Sequence, residues 1–267
     1  MLTERVDGMP RAIEKYLNKT GLEKDFTLPS RGVLYGAKLP GGVIRLRPIN
    51  TMDEKLLVRG AGGKVLERII QRCILTKTLM FDELLVSDKQ WLLFALRGFS
   101  YGEEYKFTLK CGSCSTQNPM TIHLPGDIRV ALMDESDVEP YTAVLPVCGA
   151  KVSLRLLRVS DEEAIMNSVR ATPTSVMETE GDPTYMQRLA RHITAIDGEE
   201  IDLTEALQLS ESLVGADSAA IWAELARHDC PPDVEIEMVC RVCGAEWKDN
   251  IPVNEEFFRP GITAASQ

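Results

Sequence analysis

The chain has 267 residues, 44% hydrophobic and 26% charged, which is the balance of a globular protein long enough for one large domain or two small ones. A formal net charge of −10 argues against nucleic acid as a partner, and no apolar run reaches the roughly 18–20 residues that cross a bilayer. Met1-Leu2-Thr3-Glu4-Arg5-Val6-Asp7 offers no apolar signal segment, so the expected location is a cytoplasm, where the seven cysteines are not read as disulfides.

In chain order, Ala12, Ile13, Tyr16 and Leu17 predict a short amphipathic helix within residues 1–25. A first repeat is expected over residues 26–133, and it opens on the turn-rich Leu28-Pro29-Ser30-Arg31-Gly32 with Tyr35. A strand then runs into a helix start at Thr51, where Glu54 has the capping-box spacing. Val65, Leu66, Ile69, Ile70 and Cys73 keep helical spacing, and a second helix follows from Asp88. The alternating strand Tyr105-Lys106-Phe107-Thr108-Leu109-Lys110 delivers Cys111 and Cys114. Residues 134–140 read as an acidic connection to a second repeat over residues 141–260, and residues 261–267 as a loose tail.

The second half repeats the first. Leu46-Arg47 through Asp53-Glu54 matches Leu154-Arg155 through Asp161-Glu162 at a shift of 108 residues, with a second capping box expected at Ser160 and Glu163. Tyr185, Met186, Leu189, Ala190 and Ile193 repeat the first helix at a shift of 120. From Asp88 to Cys114 a constant shift of 129 carries the helix, the strand and the CxxC onto Asp217 through Cys243. The growing shift places insertions near residues 172–183 and 197–212, in loops that absorb length at low entropic cost. The expected fold is α+β: two tandem, pseudo-symmetric helix-plus-β-hairpin repeats that share one zinc-ribbon-like four-cysteine site.

A CxxC turn holds two thiolates about one tetrahedral edge apart, and two such turns complete a closed structural zinc site. Cys111, Cys114, Cys240 and Cys243 are therefore the expected metal ligands, with zinc in a structural role. The pairs stand 126 residues apart, too far for a compact ribbon, and the duplication is what would bring them together. Four free thiols are the plain alternative. A CxxC redox protein is another, but it wants the pair at a strand-to-helix junction rather than inside a hairpin. A zinc-ribbon adaptor for nucleic acid would need a basic face, and Asp233, Glu235 and Glu237 outnumber Arg241 before the second pair.

No catalytic motif emerges. Gly60-Ala61-Gly62-Gly63-Lys64 lacks the first glycine of a phosphate loop, since Val58 stands there, and it lacks the hydroxyl residue after the lysine. His228-Asp229-Cys230 sets a histidine near a thiol with no further partner in view, and His123 and His192 are isolated. Asp53-Glu54 and Asp161-Glu162 suit helix starts for dipole reasons alone.

Leu28-Pro29-Ser30-Arg31-Gly32 with Tyr35, Asp53-Glu54, Leu84-Leu85 with Asp88, Arg97 before Tyr101-Gly102, the first CxxC and Phe257-Phe258-Arg259-Pro260 appear in one order. In that order they resemble the baseplate hub assembly proteins of T-even-type contractile-tailed phages, over nearly the whole chain beyond residue 25. The resemblance implies a non-enzymatic protein made in the bacterial host cytoplasm that helps build the central hub of the tail baseplate, as a virion component or an assembly chaperone. It implies tail and hub proteins as partners, the tape-measure protein among the candidates, and neither nucleic acid nor membrane. Arg31, Tyr35, Phe257 and Phe258 are the expected partner contacts, because arginine and aromatic side chains are enriched at interface hot spots.

Overall fold

The structure is a computed structural model that describes residues 22–57, 63–253 and 255–258. The predicted helix at Ala12 to Leu17, residues 58–62 of the glycine-rich loop, Arg259-Pro260 and the tail at 261–267 lie outside the described residues.

Strand β1 (Lys24–Thr27) pairs antiparallel with β2 (Val43–Leu46), with Phe26 opposite Ile44. Period-two alternation buries Phe26, Ile44 and Leu46 on one face. The segment between the strands folds back tightly. Gly32 sits at φ +76°, and a Cβ there would lie 2.2 Å from the Leu39 carbonyl oxygen, so only glycine fits. Helices α1 (Thr51–Leu57) and α2 (Gly63–Cys73) follow, and the chain rejoins the sheet where the Leu75 N–H donates to the Arg45 carbonyl at 2.8 Å. Helix α3 (Val86–Tyr101) leads into the hairpin β3 (Glu104–Lys110) and β4 (Gln117–His123), whose Tyr105, Phe107 and Leu109 face inward.

After β5 (Arg129–Val130), four strands form one antiparallel sheet in chain order: β6 (Tyr141–Val144), β7 (Lys151–Leu154), β8 (Ile193–Ile196) and β9 (Glu199–Glu200). Helices α4 (Val159–Ala171), α5 (Thr174–Glu180) and α6 (Thr184–His192) connect β7 to β8. Helices α7 (Leu203–Ser212) and α8 (Gly215–His228) precede β10 (Pro232–Asp233), which pairs with β5. The hairpin β11 (Glu235–Val239) and β12 (Glu246–Asn250) and a 3-10 turn at Glu255–Phe258 complete the described chain. The protein is thus a mixed helix and sheet structure with small antiparallel sheets.

Several contacts recur in both halves. Arg47 Nη1 donates to Asp53 Oδ2 at 2.6 Å, and Arg155 Nη1 donates to Asp161 Oδ2 at 2.7 Å. The Arg47 N–H donates to the Cys73 carbonyl at 2.9 Å, and the Arg155 N–H to the His192 carbonyl at 2.8 Å. These bonds set Cys73 against His192, one residue away from the pairing of Cys73 with Ile193 that the helical periodicity suggests. Asp88 Oδ1 accepts the Ser30 N–H at 3.1 Å, and Asp217 Oδ1 accepts the Val147 N–H at 2.8 Å. Behind the last pair stands a further sequence match, Leu28-Pro29-Ser30-Arg31-Gly32 with Leu145-Pro146-Val147-Cys148-Gly149, both glycines at φ +76°.

The helix starts differ from the expected capping boxes. The Asn50 side chain, not Thr51, accepts from the Met52 and Asp53 N–H groups, and Asp53 reaches back to the Asn50 N–H at 3.2 Å. At α4, Asp161 reaches back to the Arg158 N–H at 2.8 Å. The shorter aspartate reaches the cap backbone and still holds its arginine, a double role the glutamates at 54 and 163 do not take. In that geometry the two caps share one phase.

The halves are joined directly. The Val86 N–H donates to the Leu157 carbonyl at 3.1 Å, and the Val159 N–H donates to the Leu84 carbonyl at 2.9 Å. One apolar core runs from Phe26 through Leu92 and Leu154 to Phe258. Phe257 closes it, edge-on to Phe94 at 5.7 Å and to Tyr105 at 5.0 Å.

Candidate metal centre

Both CxxC turns follow a strand and close in the same way. The Cys111 N–H donates to the Thr116 carbonyl at 2.9 Å, and the Ser115 N–H returns to the Cys111 carbonyl at 2.9 Å. In the second turn the Cys240 N–H donates to the Ala245 carbonyl at 2.8 Å, and the Gly244 N–H to the Cys240 carbonyl at 2.9 Å. The residue after the second cysteine takes the left-handed conformation in each, Gly244 at φ +71° and Ser115 at φ +61°. The glycine favoured in such a turn is present in one copy only. Ser115→Gly is therefore expected to raise stability by up to about 1 kcal/mol, and Gly244→Ala to lower it by a similar amount, both measurable by urea unfolding.

The two turns face each other. Cys111 Sγ lies 3.7 Å from Cys243 Sγ and Cys114 Sγ lies 3.5 Å from Cys240 Sγ, and all four sulfurs lie within 4.8 Å of one another. A tetrahedron with zinc–sulfur bonds of ~2.3 Å has edges of about 3.8 Å, so the spacing suits a single ion of that kind. Cys111 and Cys240 are buried, and Cys114 and Cys243 are exposed. Asn118 stitches the turns together: its Nδ2 donates to the Thr116 carbonyl at 2.9 Å and its Oδ1 accepts the Arg241 N–H at 3.1 Å. Nothing in the sequence marks Asn118, which reads there as one more residue of a polar turn.

The electrostatics divide the thiols, lowering Cys114 and Cys240 and raising Cys243. Backbone N–H groups of Cys243 and Val242 point at the Cys240 sulfur and pull its pKa down to about 6. Cys114 is lowered by hydrogen bonding to the side chain and backbone of Thr116. The Ala245 N–H also lowers Cys243, but the thiols of Cys114 and Cys240 outweigh it and push Cys243 up to about 12. Four thiolates at this spacing repel one another, and a divalent cation at their centre removes that repulsion.

Set beside known proteins, residues 33–259 match the family described as "T4 bacteriophage base plate protein". The chain belongs to the T4-type baseplate protein family. Comparison with curated proteins and with solved structures gives no match. No described helix is long and apolar enough to cross a membrane.

The residues expected to make partner contacts divide sharply in this baseplate protein. Arg31 is exposed, held at φ +51° with its Nη2 donating to Glu135 Oε1 at 3.3 Å. Tyr35 is buried; its hydroxyl donates to Asp88 Oδ2 at 2.6 Å and accepts the Leu85 N–H at 2.8 Å. Phe257 and Phe258 are buried in the shared core. Sequence alone misses this because two adjacent aromatics on a strand or helix would point apart, whereas here Phe257 packs on Phe94 and Tyr105 and Phe258 packs on Phe257, so both are enclosed by the core.

The other candidates are structural. His228 stacks on Tyr141 at 3.9 Å, and its two nitrogens meet Asp137 at 2.7 Å and Glu224 at 3.1 Å. Cys230 is buried, and burial raises its thiol to about 12, far from a nucleophile's range. His192 is buried and held neutral, its pKa pushed down to about 4 by burial, with Nδ1 2.7 Å from the Arg155 carbonyl. His123 lies on the surface beside Asp127 at 3.3 Å.

Proposed function

We propose that this baseplate protein is a structural and assembly protein of a contractile phage tail. It acts by protein–protein contact in building the central hub, and one structural zinc ion clamps its two halves. The observation that carries the metal part is the convergence of four sulfurs from turns 126 residues apart to within 4.8 Å. The recurring contacts of Arg47 with Arg155 and of Asp88 with Asp217 support two related repeats, roughly 26–133 and 141–260, that grew from one unit. In such an arrangement each repeat supplies half of the metal site, so the ion fixes their relative placement. Partners are neighbouring tail and hub proteins, the tape-measure protein among the candidates. Among the expected contact residues, Arg31 is the one on the surface.

The reading is tested by complementing a phage that lacks this gene. Arg31→Ala is expected to reduce infectious particles at least tenfold with the melting temperature unchanged. Tyr35→Ala and Phe258→Ala should lower both together, because those side chains are buried. Normal tails from phage lacking the gene would overturn the assembly role. Mass spectrometry of purified virions then separates a resident component from a departing chaperone.

A further inference from the structure

A cleft of about 710 Å³ opens in the second half between β8 and the helices that flank it. Its walls include Arg155, Asp161, Arg191 and Thr194 beside the apolar Ile193 and Ile201. The first half holds the comparable arginine and aspartate positions in a closed triad. There Asp53 takes Arg47 at 2.6 Å and Arg72 Nε at 2.7 Å. Arg72 directly precedes Cys73 and Arg191 directly precedes His192, the two residues whose carbonyls receive the Arg47 and Arg155 N–H groups. Arg191 is therefore the counterpart of Arg72, yet it does not close the second triad.

Asp161 is already held by Arg155 and the helix start, and Arg191 makes no bond to it. Its carboxylate accepts Arg155 Nη1 and Nη2, both at 2.7 Å, and the Arg158 N–H at 2.8 Å. Arg191 turns back along its own helix instead, and Nη1 meets the Gln187 carbonyl at 3.1 Å and the Gln187 side-chain oxygen. Among the described residues no carboxylate lies within ion-pair distance of Arg191, and its Nε and Nη2 have no protein acceptor. Burial holds its pKa below the usual arginine value; Asp161 pulls upward, and the like charge of Arg155 adds to the lowering. An arginine with two donors unspent, at the wall of a roomy cleft, is a fork shaped for a carboxylate.

We infer that the Arg191 cleft binds a single carboxylate on an extended, partly apolar segment of a neighbouring protein, with Arg191 as the anchoring fork. The charge of the site selects for that group. Arg155 is neutralised by Asp161, and Glu200 lies on the cleft wall, so the cleft offers one unmatched positive charge at most. A net charge of −10 disfavours a polyanion such as nucleic acid. Ile193 and Ile201 supply apolar contact beside the fork, and Thr194 a polar edge. The protein-partner half of this inference rests on the baseplate reading; the carboxylate site itself does not.

The test is a titration of the isotope-labelled full chain with N-acetyl-Leu-Glu-amide, followed by NMR at the Arg191 Nε–Hε signal and the amides of residues 193–203. The expected result is a saturable shift there, absent with N-acetyl-Leu-Gln-amide, and at least tenfold weaker for Arg191→Gln. Absence of any shift at these signals overturns the site. A response to inorganic phosphate with none to the glutamyl probe overturns the carboxylate assignment. The probe works on the wild-type chain, so a poorly folded variant does not blunt it. Complementation separates the two levels: binding intact with tails that assemble normally in phage lacking the gene defeats the baseplate reading and leaves the site standing. Tails that need the protein but assemble normally with Arg191→Gln defeat the partner role of the site.

Discussion

Stripping zinc from the purified protein is expected to separate its two halves locally and lower its melting temperature by more than about 15 °C. The four sulfurs come from two hairpin turns with no covalent link between them, and all lie within 4.8 Å of one another. Without a cation the cluster carries thiols that resist joint ionisation, as the rise of Cys243 to about 12 illustrates. With a divalent ion all four become ligands, and the binding free energy of the metal becomes folding free energy. Elemental analysis should find one zinc per chain, and Cys240→Ser should abolish stoichiometric retention. Cys148→Ser, at an exposed cysteine outside the cluster, should leave both metal content and melting unchanged. Four freely titratable thiols in the native protein, or melting indifferent to chelator, would defeat the metal site.

That cluster was legible in the sequence for a definite reason. CxxC after an alternating strand is a local pattern, and the constant shift from Asp88–Cys114 to Asp217–Cys243 supplied the long-range half of the argument. The amphipathic helices at residues 63–73 and 184–192 and both hairpins were legible on the same local grounds. What stayed hidden depends on tertiary geometry. Asn118 bonds across the two turns, and no local pattern announces such a contact. The open fork of Arg191 shows only when its donors are seen to go to Gln187 of its own helix while Asp161 is held by Arg155. The burial of Tyr35 and Phe258 was misjudged because an aromatic beside glycine and proline resembles a surface hot spot until its core is seen. The match of residues 28–32 with 145–149 was readable but is short, and its meaning comes from the two aspartates that hold the turns.

Asp88→Ala is expected to cost about 3–5 kcal/mol, because it strands three buried donors at once. Asp88 is fully buried and accepts from the Ser30 N–H, the Ser30 hydroxyl and the Tyr35 hydroxyl. Those bonds fix the Leu28–Gly32 turn onto the start of α3. Asp217 holds the comparable turn through the Val147 N–H alone, so Asp217→Ala should cost only about 1–3 kcal/mol. The same site gives a sign to the pH dependence. Burial is the largest influence on Asp88 and raises its carboxyl pKa, with the donors from Ser30 and Tyr35 pulling it back in part. A raised folded pKa means that the native state holds the proton more tightly than the unfolded chain. The contribution of Asp88 is then greatest below the unfolded value of about 3.9 and declines as pH rises through the folded value. Asp53 and Asp161 act in the opposite sense. Their arginine and backbone partners lower both pKa values against the cost of burial, so their stabilisation is present above the unfolded value and fades as pH falls. Urea unfolding of the wild type and of Asp88→Asn across pH 4 to 8 isolates the first effect, since Asp53 and Asp161 are common to both. The stability lost on substitution should be largest at the acid end and shrink towards neutrality. A difference that grows with pH would show that Asp88 is held as a stabilised anion and that its burial is outweighed by its donors.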